Sequence, residues 1–329
     1  VATSAQKQAS AARRATNRAR GETRGYERVR ARPIYAGRRY KINRRCIGRI
    51  MLFAPGADPA ELANLIGYCL ARAAANNEVQ VHASLWMSDH HHTDVTDPDA
   101  NLVPFKQQLH SLVARGRNAR LRRFDSVWSG AQACDTRRPT DDESLIDLVY
   151  TLTNPVKAGL VKWARQWPGF TTIGWRFGET RTFKRPDWFF DDNGDMPEEV
   201  SLTLVRPQIF PELDDDALYA KLMEAVRQRE LEIHQSMRLR GRRFMGLRKL
   251  ARQRWNCVAQ SFEERFSVAP KHVGSSERRV LAEVGRDREW ERQYAAARAL
   301  LLAGKPAMFP AGTYWLRRFA GVDVAAQAP

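Results

Sequence analysis

The chain changes its rhythm of apolar and polar positions several times along its length. Residues 1–32 place arginines among Ala, Gly, Ser and Thr with almost no large apolar side chain. Such a stretch has nothing to build a core from and reads as a flexible basic arm. From Tyr40, "YKINRRCIGRIMLF" reads as one or two strands. In "PAELANLIGYCLARAAANN", Leu62, Leu65, Ile66, Cys69 and Leu70 recur at helical spacing until Asn76 and Asn77 end the pattern. "VQVHASLWM" then alternates. Val79, Val81, Ala83, Leu85 and Met87 fall on one side and Gln80, His82, Ser84 and Trp86 on the other, which predicts a strand with one buried face.

A second helix is predicted in "PFKQQLHSLVARG" and a third in "TDDESLIDLVYTLTNPVKAGLV". Thr140 and Glu143 are spaced as a capping box for the third, and Pro155 disfavours helical geometry at Asn154. Strand, helix, strand, helix, helix is the order of an α+β layer domain over residues 33–178. Residues 179–200 mix Pro, Gly, Asp and aromatics and are expected to be a linker with the means to pack on a neighbour. Residues 201–329 are expected to be a mainly helical extension: "DDDALYAKLMEAVRQRELEIHQSM" is amphipathic with acids in its first turn, and a second long helix runs from about Ser276 to the Gly304-Lys305-Pro306 stop. The stretch between, "RLRGRRFMGLRKLARQR", is a candidate helix-turn-helix.

Charge changes the picture. Across 329 residues, 54 Lys and Arg face 37 Asp and Glu, a formal charge of +17, which points to a polyanionic partner, nucleic acid before membrane. No apolar run approaches the roughly 20 residues of a membrane span, so the expected setting is cytoplasmic, without membrane. Cys46, Cys69, Cys134 and Cys257 show no C-x-x-C pairing. They are expected to be reduced packing residues rather than a disulfide framework or zinc site.

The candidate chemistry begins at "MSDHHHTDV". Residues two apart on a strand share a face, so His90 and His92 project together while His91 faces the other way. His90 and His92 are read as leaving the end of the Val79 strand on the face of Ser84 and Trp86. Two imidazoles so placed can clamp a metal; they also occur as ordinary polar surface. The start of a metallo-hydrolase motif, H-x-H-x-D-H, is present at His90, but position 95 is Val and no suitable histidine context follows. On the third helix Tyr150 and Asn154, four residues apart, share one face.

"YKINRRCIGRIMLF", "VQVHASLWMSDHHHTDV", "VWSGAQACDT" and "DLVYTLTNPVKAGLV", in this order, resemble the REP-associated tyrosine transposases of the single-tyrosine HUH superfamily. "NPVKAGLV" four residues after a tyrosine is the most specific element, and the resemblance covers residues 33–178. It implies a ferredoxin-like domain with a central antiparallel sheet, metal ligands at His90, His92 and Asn154, and a nucleophile at Tyr150. The chain departs from the family at His91, where a bulky apolar residue is usual, at Asp89, where Asn is common, and in the polar "TDVTDPD" after His92.

The implied activity is a DNA transposase or single-strand endonuclease that cuts and rejoins single-stranded or hairpin DNA through a 5′-phosphotyrosine. Two neutral imidazoles and an amide suit Mg²⁺ or Mn²⁺. The alternative is a non-catalytic DNA-binding descendant. Arg44, Arg45 and Arg49 beside the first strand, and Arg115, Arg117, Arg120, Arg122 and Arg123 after the second helix, are the candidate DNA contacts. Monomer and homodimer remain open.

Overall fold

A computed structural model of the chain describes residues 32–56, 58–130, 134–137, 141–191, 194–260 and 277–327. The expected basic arm, apart from Arg32, and the Thr140 half of the capping box therefore lie outside the described residues. Pro33–Pro329 forms one compact unit.

The first half of that unit is the α+β domain. Strand β1 (Arg38–Arg45) is followed by helix α1 (Pro59–Asn77), strands β2 (Gln80–Trp86) and β3 (His90–Asp97), helix α2 (Leu102–Leu121), strand β4 (Cys134–Arg137) and helix α3 (Asp141–Lys157). The strands form one sheet in the order β2-β3-β1-β4, and every neighbouring pair is antiparallel. This is the ferredoxin-like arrangement that the sequence resemblance implies. Asp58 starts α1 by accepting the Glu61 N–H, and Pro59 at the first helical position needs no N–H partner. Asp97 holds the start of α2 by accepting the N–H groups of Asn101 and Leu102 at 2.7 and 2.8 Å.

β2 departs from the expected one-sided strand. The register slips by one residue at His82, and from Val81 to Trp86 both faces are buried. The bulged His82 is held from both ring nitrogens: it reaches the Val205 carbonyl at 2.8 Å and the Thr96 hydroxyl at 2.7 Å. Leu85 and Met87 pack with Val156, Val161, Trp167, Ile233 and Met237 in a smaller core, whereas Val81, Ala83 and Trp86 belong to the main one. The sheet is thus covered on both sides, which explains why the polar-looking side of β2 is dry.

Three other expectations are corrected. α3 continues through Asn154 to Lys157 despite Pro155, and Ala158 N–H still reaches the Asn154 carbonyl at 2.9 Å. One proline in the last turn removes a single donor, and packing tolerates it. Residues 179–200 are not a bare linker: β5 (Thr180–Lys184) and β6 (Glu199–Thr203) form an antiparallel hairpin that packs on α1. The approach is close enough that a Cβ at Gly67 would lie 2.2 Å from the Phe183 ring. Cys46 and Cys69 are buried free thiols, but Cys257 is exposed.

Beyond the hairpin, α4 (Asp215–Leu239) packs along α3, burying Leu218, Leu222, Val226, Ile233 and Met237. The short α5 (Leu247–Ala251) follows, and its five residues are too few for a recognition helix. The long α6 (Glu277–Leu302), strands β7 (Met308–Phe309) and β8 (Asp323–Val324), and α7 (Tyr314–Ala320) complete the described structure.

Candidate tyrosine and histidine site

β2 ends at Trp86, a turn brings the chain round with Met87 N–H on the His90 carbonyl, and the three histidines open β3. They belong to that next strand, which corrects the placement at the end of the Val79 strand. The alternation along β3 then acts as expected, with one change of neighbours. Leu85 lies opposite His92, and Trp86 opposite His91. His90 and His92 therefore share a face with Leu85, and Trp86 belongs to the face of His91.

On the His91 face, the imidazole is stacked on Trp86 with ring centroids 4.3 Å apart. Its Nε2 lies 2.8 Å from Nε2 of His110 on α2, and Arg44 donates to His110 Nδ1 at 2.9 Å. A consistent set of protons runs from Arg44 through His110 Nε2–H to His91, whose Nδ1–H reaches the Thr93 hydroxyl at 3.2 Å. Burial pushes His91 down to about 3, with the neighbouring His90 and Arg44 charges adding to it. Burial likewise holds His110 well below the usual histidine range. His91 is thus part of a neutral polar core on the side away from Tyr150.

The other face carries the candidate site. The His90 and His92 rings are 5.0 Å apart and nearly perpendicular. α3 lays Tyr150 and Asn154 over them: the Tyr150 ring is 5.5 Å from that of His92, and Asn154 Nδ2 is 3.0 Å from His92 Nε2. Tyr150 is half-buried, so its edge is reachable from solvent. Burial keeps His92 well below the usual histidine range, reinforced by His90, Lys41 and Arg45, and so leaves it a neutral ring with a lone pair. His90 Nδ1 is 2.7 Å from Asp89 Oδ1, which orients the ring and leaves Nε2 to face outward. Burial acts to raise the Asp89 carboxyl, but the His90 hydrogen bond and the charges of His90, Arg49 and Arg45 outweigh it and hold it below the carboxylate range.

Two residues that sequence reasoning missed complete the surroundings. The ammonium groups of Lys41 and Lys157 lie 4.3 and 4.4 Å from the centre of the Tyr150 ring. Lys41 is itself tied to Asp147 by an ion pair of 3.2 Å. Part of this was readable locally, since Lys157 is seven residues from Tyr150, two helical turns on; Lys41 reaches the site because β1 pairs with β3, with Asn43 opposite His92 and Lys41 opposite Asp94. Thr151 donates to Asp94 at 2.5 Å across the same sheet–helix seam.

The residues fit a divalent cation. Among the described residues no three His, Cys, Asp or Glu side chains converge to hold a metal, so a site here depends on an amide as third donor. His92 Nδ1 is buried without a hydrogen-bond partner. A half-turn of the Asn154 amide exchanges Nδ2 and Oδ1 and presents a carbonyl oxygen beside His92 Nε2. The Asp89 carboxylate on His90 is the kind of outer partner that fixes a metal-binding imidazole.

The candidate DNA arginines separate into two groups. Arg45, Arg115, Arg120 and Arg122 are exposed, and Arg49 and Arg123 are half-buried. Arg49 faces Asp89 at 3.8 Å, Arg120 pairs with Glu61, and Arg123 lies over the Trp255 ring. Arg44 points into the His110 core, as above. Arg117 is buried and donates from Nε to the Leu52 carbonyl at 2.5 Å; burial lowers it to about 10. Both inward arginines hold the fold together and are poorly placed for phosphate.

Comparison with known proteins places similar structures among transposases. A REP-associated tyrosine transposase bound to a REP hairpin is 16% identical over 46% of this chain and 83% of that chain, with a TM-score of 0.34. A protein described as a transposase from Deinococcus radiodurans R1 is 16% identical over 37% of this chain and 92% of that one, with a TM-score of 0.26. No protein-family model and no curated protein matches the chain.

Proposed function

We propose that the protein is a metal-dependent tyrosine transposase that cleaves and rejoins single-stranded or hairpin DNA through Tyr150. The observation that carries this reading is the convergence of Tyr150 and Asn154 from α3 with His90 and His92 from β3 on one face of the sheet. Nothing in the packing of an α+β domain requires a half-buried phenol, two imidazoles and an amide at one seam.

The Tyr150 phenol gives up its proton, and its oxygen attacks the scissile phosphorus. A Tyr–O–P bond forms, the P–O3′ bond breaks, and the departing oxygen takes a proton to become a free 3′-OH. The 5′-phosphotyrosine keeps the bond energy, so a 3′-OH from another strand reverses the step without ATP. Lys41 and Lys157 beside the ring attract the incoming phosphate and offset the charge that builds on it during attack. A Mg²⁺ or Mn²⁺ ion held by His90, His92 and the Asn154 amide would withdraw charge from the phosphodiester oxygen. Asp89 keeps His90 in one orientation and tautomer.

Incubating the chain with a labelled DNA hairpin and Mn²⁺ tests the proposal. A denaturant-resistant protein–DNA adduct is expected. A mobility shift without an adduct would assign the chain to DNA binding alone.

A further inference from the structure

Between Glu232 and Glu263 the sequence contains no acidic residue and eight Lys or Arg. Arg238, Arg240, Arg242 and Arg243 come at the end of α4 and just after it. Arg248, Lys249, Arg252 and Arg254 follow on and after α5. All eight are exposed. Elsewhere on the surface several cations are paired, among them Arg176 with Asp216, Arg206 with Asp215 and Arg229 with Glu232. From Arg238 to Arg254 none makes an ion pair among the described residues. α4 itself changes character at this point, since its acids end at Glu232 and only arginines continue. Concentrating eight unpaired charges costs self-repulsion, which a bound polyanion relieves.

The segment is fixed in place beside the candidate site. Met245 and Gly246 N–H groups bind the carbonyls of Gly159 and Leu160, just past the end of α3. Ser88, two residues from His90, donates to Gln253 at 2.6 Å. Met51 N–H binds the Cys257 carbonyl, and Ala259 N–H that of Arg49. Leu250 anchors α5 in the smaller core. The basic stretch is therefore attached on one side to the helix that carries Tyr150 and on the other to the turn that carries Asp89 and His90.

We infer that residues 238–254 form a brace that contacts the phosphates of double-stranded DNA flanking the strand held at Tyr150. This rests on the proposed function and names the partner of its surroundings. Duplex is favoured over single strand because proteins that bind single strands stack bases on exposed aromatics. Neither the aromatic of this segment nor the one just after it is presented that way: Phe244 packs against the smaller core, and Trp255 is half-buried beneath Arg123. What the segment offers is charge without a stacking platform, which suits a duplex backbone.

The test uses the full chain and a fluorescent hairpin with a single-stranded tail, beside the tail alone. One variant carries Arg238→Gln, Arg240→Gln, Arg242→Gln and Arg243→Gln; a second carries Arg248→Gln, Lys249→Gln, Arg252→Gln and Arg254→Gln. A third replaces the first four arginines by lysine. Each glutamine variant is expected to lose about tenfold or more in hairpin affinity at roughly 0.15 M salt, with a salt slope shallower by about one to three. Affinity for the tail alone should change less, and the lysine variant should keep hairpin binding. Unchanged hairpin affinity and slope in both glutamine variants would overturn the inference. So would an equal loss for the tail alone. Adduct formation by the unaltered chain is scored separately: its absence would remove the Tyr150 chemistry while the hairpin result would still stand or fall alone.

Discussion

Asn154 Nδ2 lies 3.0 Å from His92 Nε2, joining residues 62 positions apart across the seam between α3 and β3. If that seam binds metal, truncating either outer histidine should weaken Mn²⁺ binding by at least about tenfold, 1.4 kcal/mol. Asn154→Ala should weaken it less, because a neutral amide is the poorer donor. Calorimetric titration of Mn²⁺ into His90→Ala, His92→Ala and Asn154→Ala measures the order directly.

His91→Ala should behave differently. It removes a ring stacked on Trp86 and leaves His110 Nε2 without its partner, so stability should drop by about 2–4 kcal/mol while Mn²⁺ affinity per folded molecule is kept. Thermal melts beside the same titration separate the two effects. A His91 variant that melts normally but loses metal would count against the face assignment.

Tyr150→Phe retains the ring beside His92, Lys41 and Lys157 and deletes only the attacking oxygen. The adduct should vanish with melting temperature and hairpin affinity nearly unchanged. Lys157→Gln, which removes one of the two ammonium groups at the ring, should slow adduct formation by about tenfold, read in a time course under saturating DNA.

Gly67→Ala tests the hairpin of β5 and β6 on α1. Alanine is the better helix former, yet its Cβ meets the Phe183 ring, and overpacking of this kind costs about 1–3 kcal/mol. Denaturant unfolding should show a lower midpoint, and Phe183→Leu in the same chain should recover part of it.

His82 gives a pH dependence. Burial lowers it to about 4, the Arg39 charge adding to this and the hydrogen bond to Val205 opposing it. The folded state thus binds fewer protons than the unfolded chain between about pH 6.5 and about pH 4. Its contribution to stability is full above that window and is lost as the pH falls through it. Melting temperature should decline from pH 7 to pH 4.5, and His82→Gln should flatten part of the decline.

Much of this was legible in the sequence because it belongs to single elements. Alternation along one strand puts His90 and His92 on one face and His91 on the other, and a four-residue spacing on one helix brings Tyr150 and Asn154 together. β1, β2 and the three helices of the first half also follow from local periodicity, whereas β3 as a separate strand and the short β4 do not. What the tertiary structure alone decided depends on residues far apart in sequence. Only the docking of α3 on β3 brings Tyr150 to His92 and places Lys41 over its ring; only the packing of α2 turns Arg117 and His110 inward. In the hairpin after residue 179, β6 alternates, with Val200 and Leu202 turned inward, but β5 turns only Phe183 inward and leaves its other positions exposed. Periodicity reports which side of an element is apolar. It does not report which element will cover that side, since that is set by the shape and burial gained when the whole chain packs.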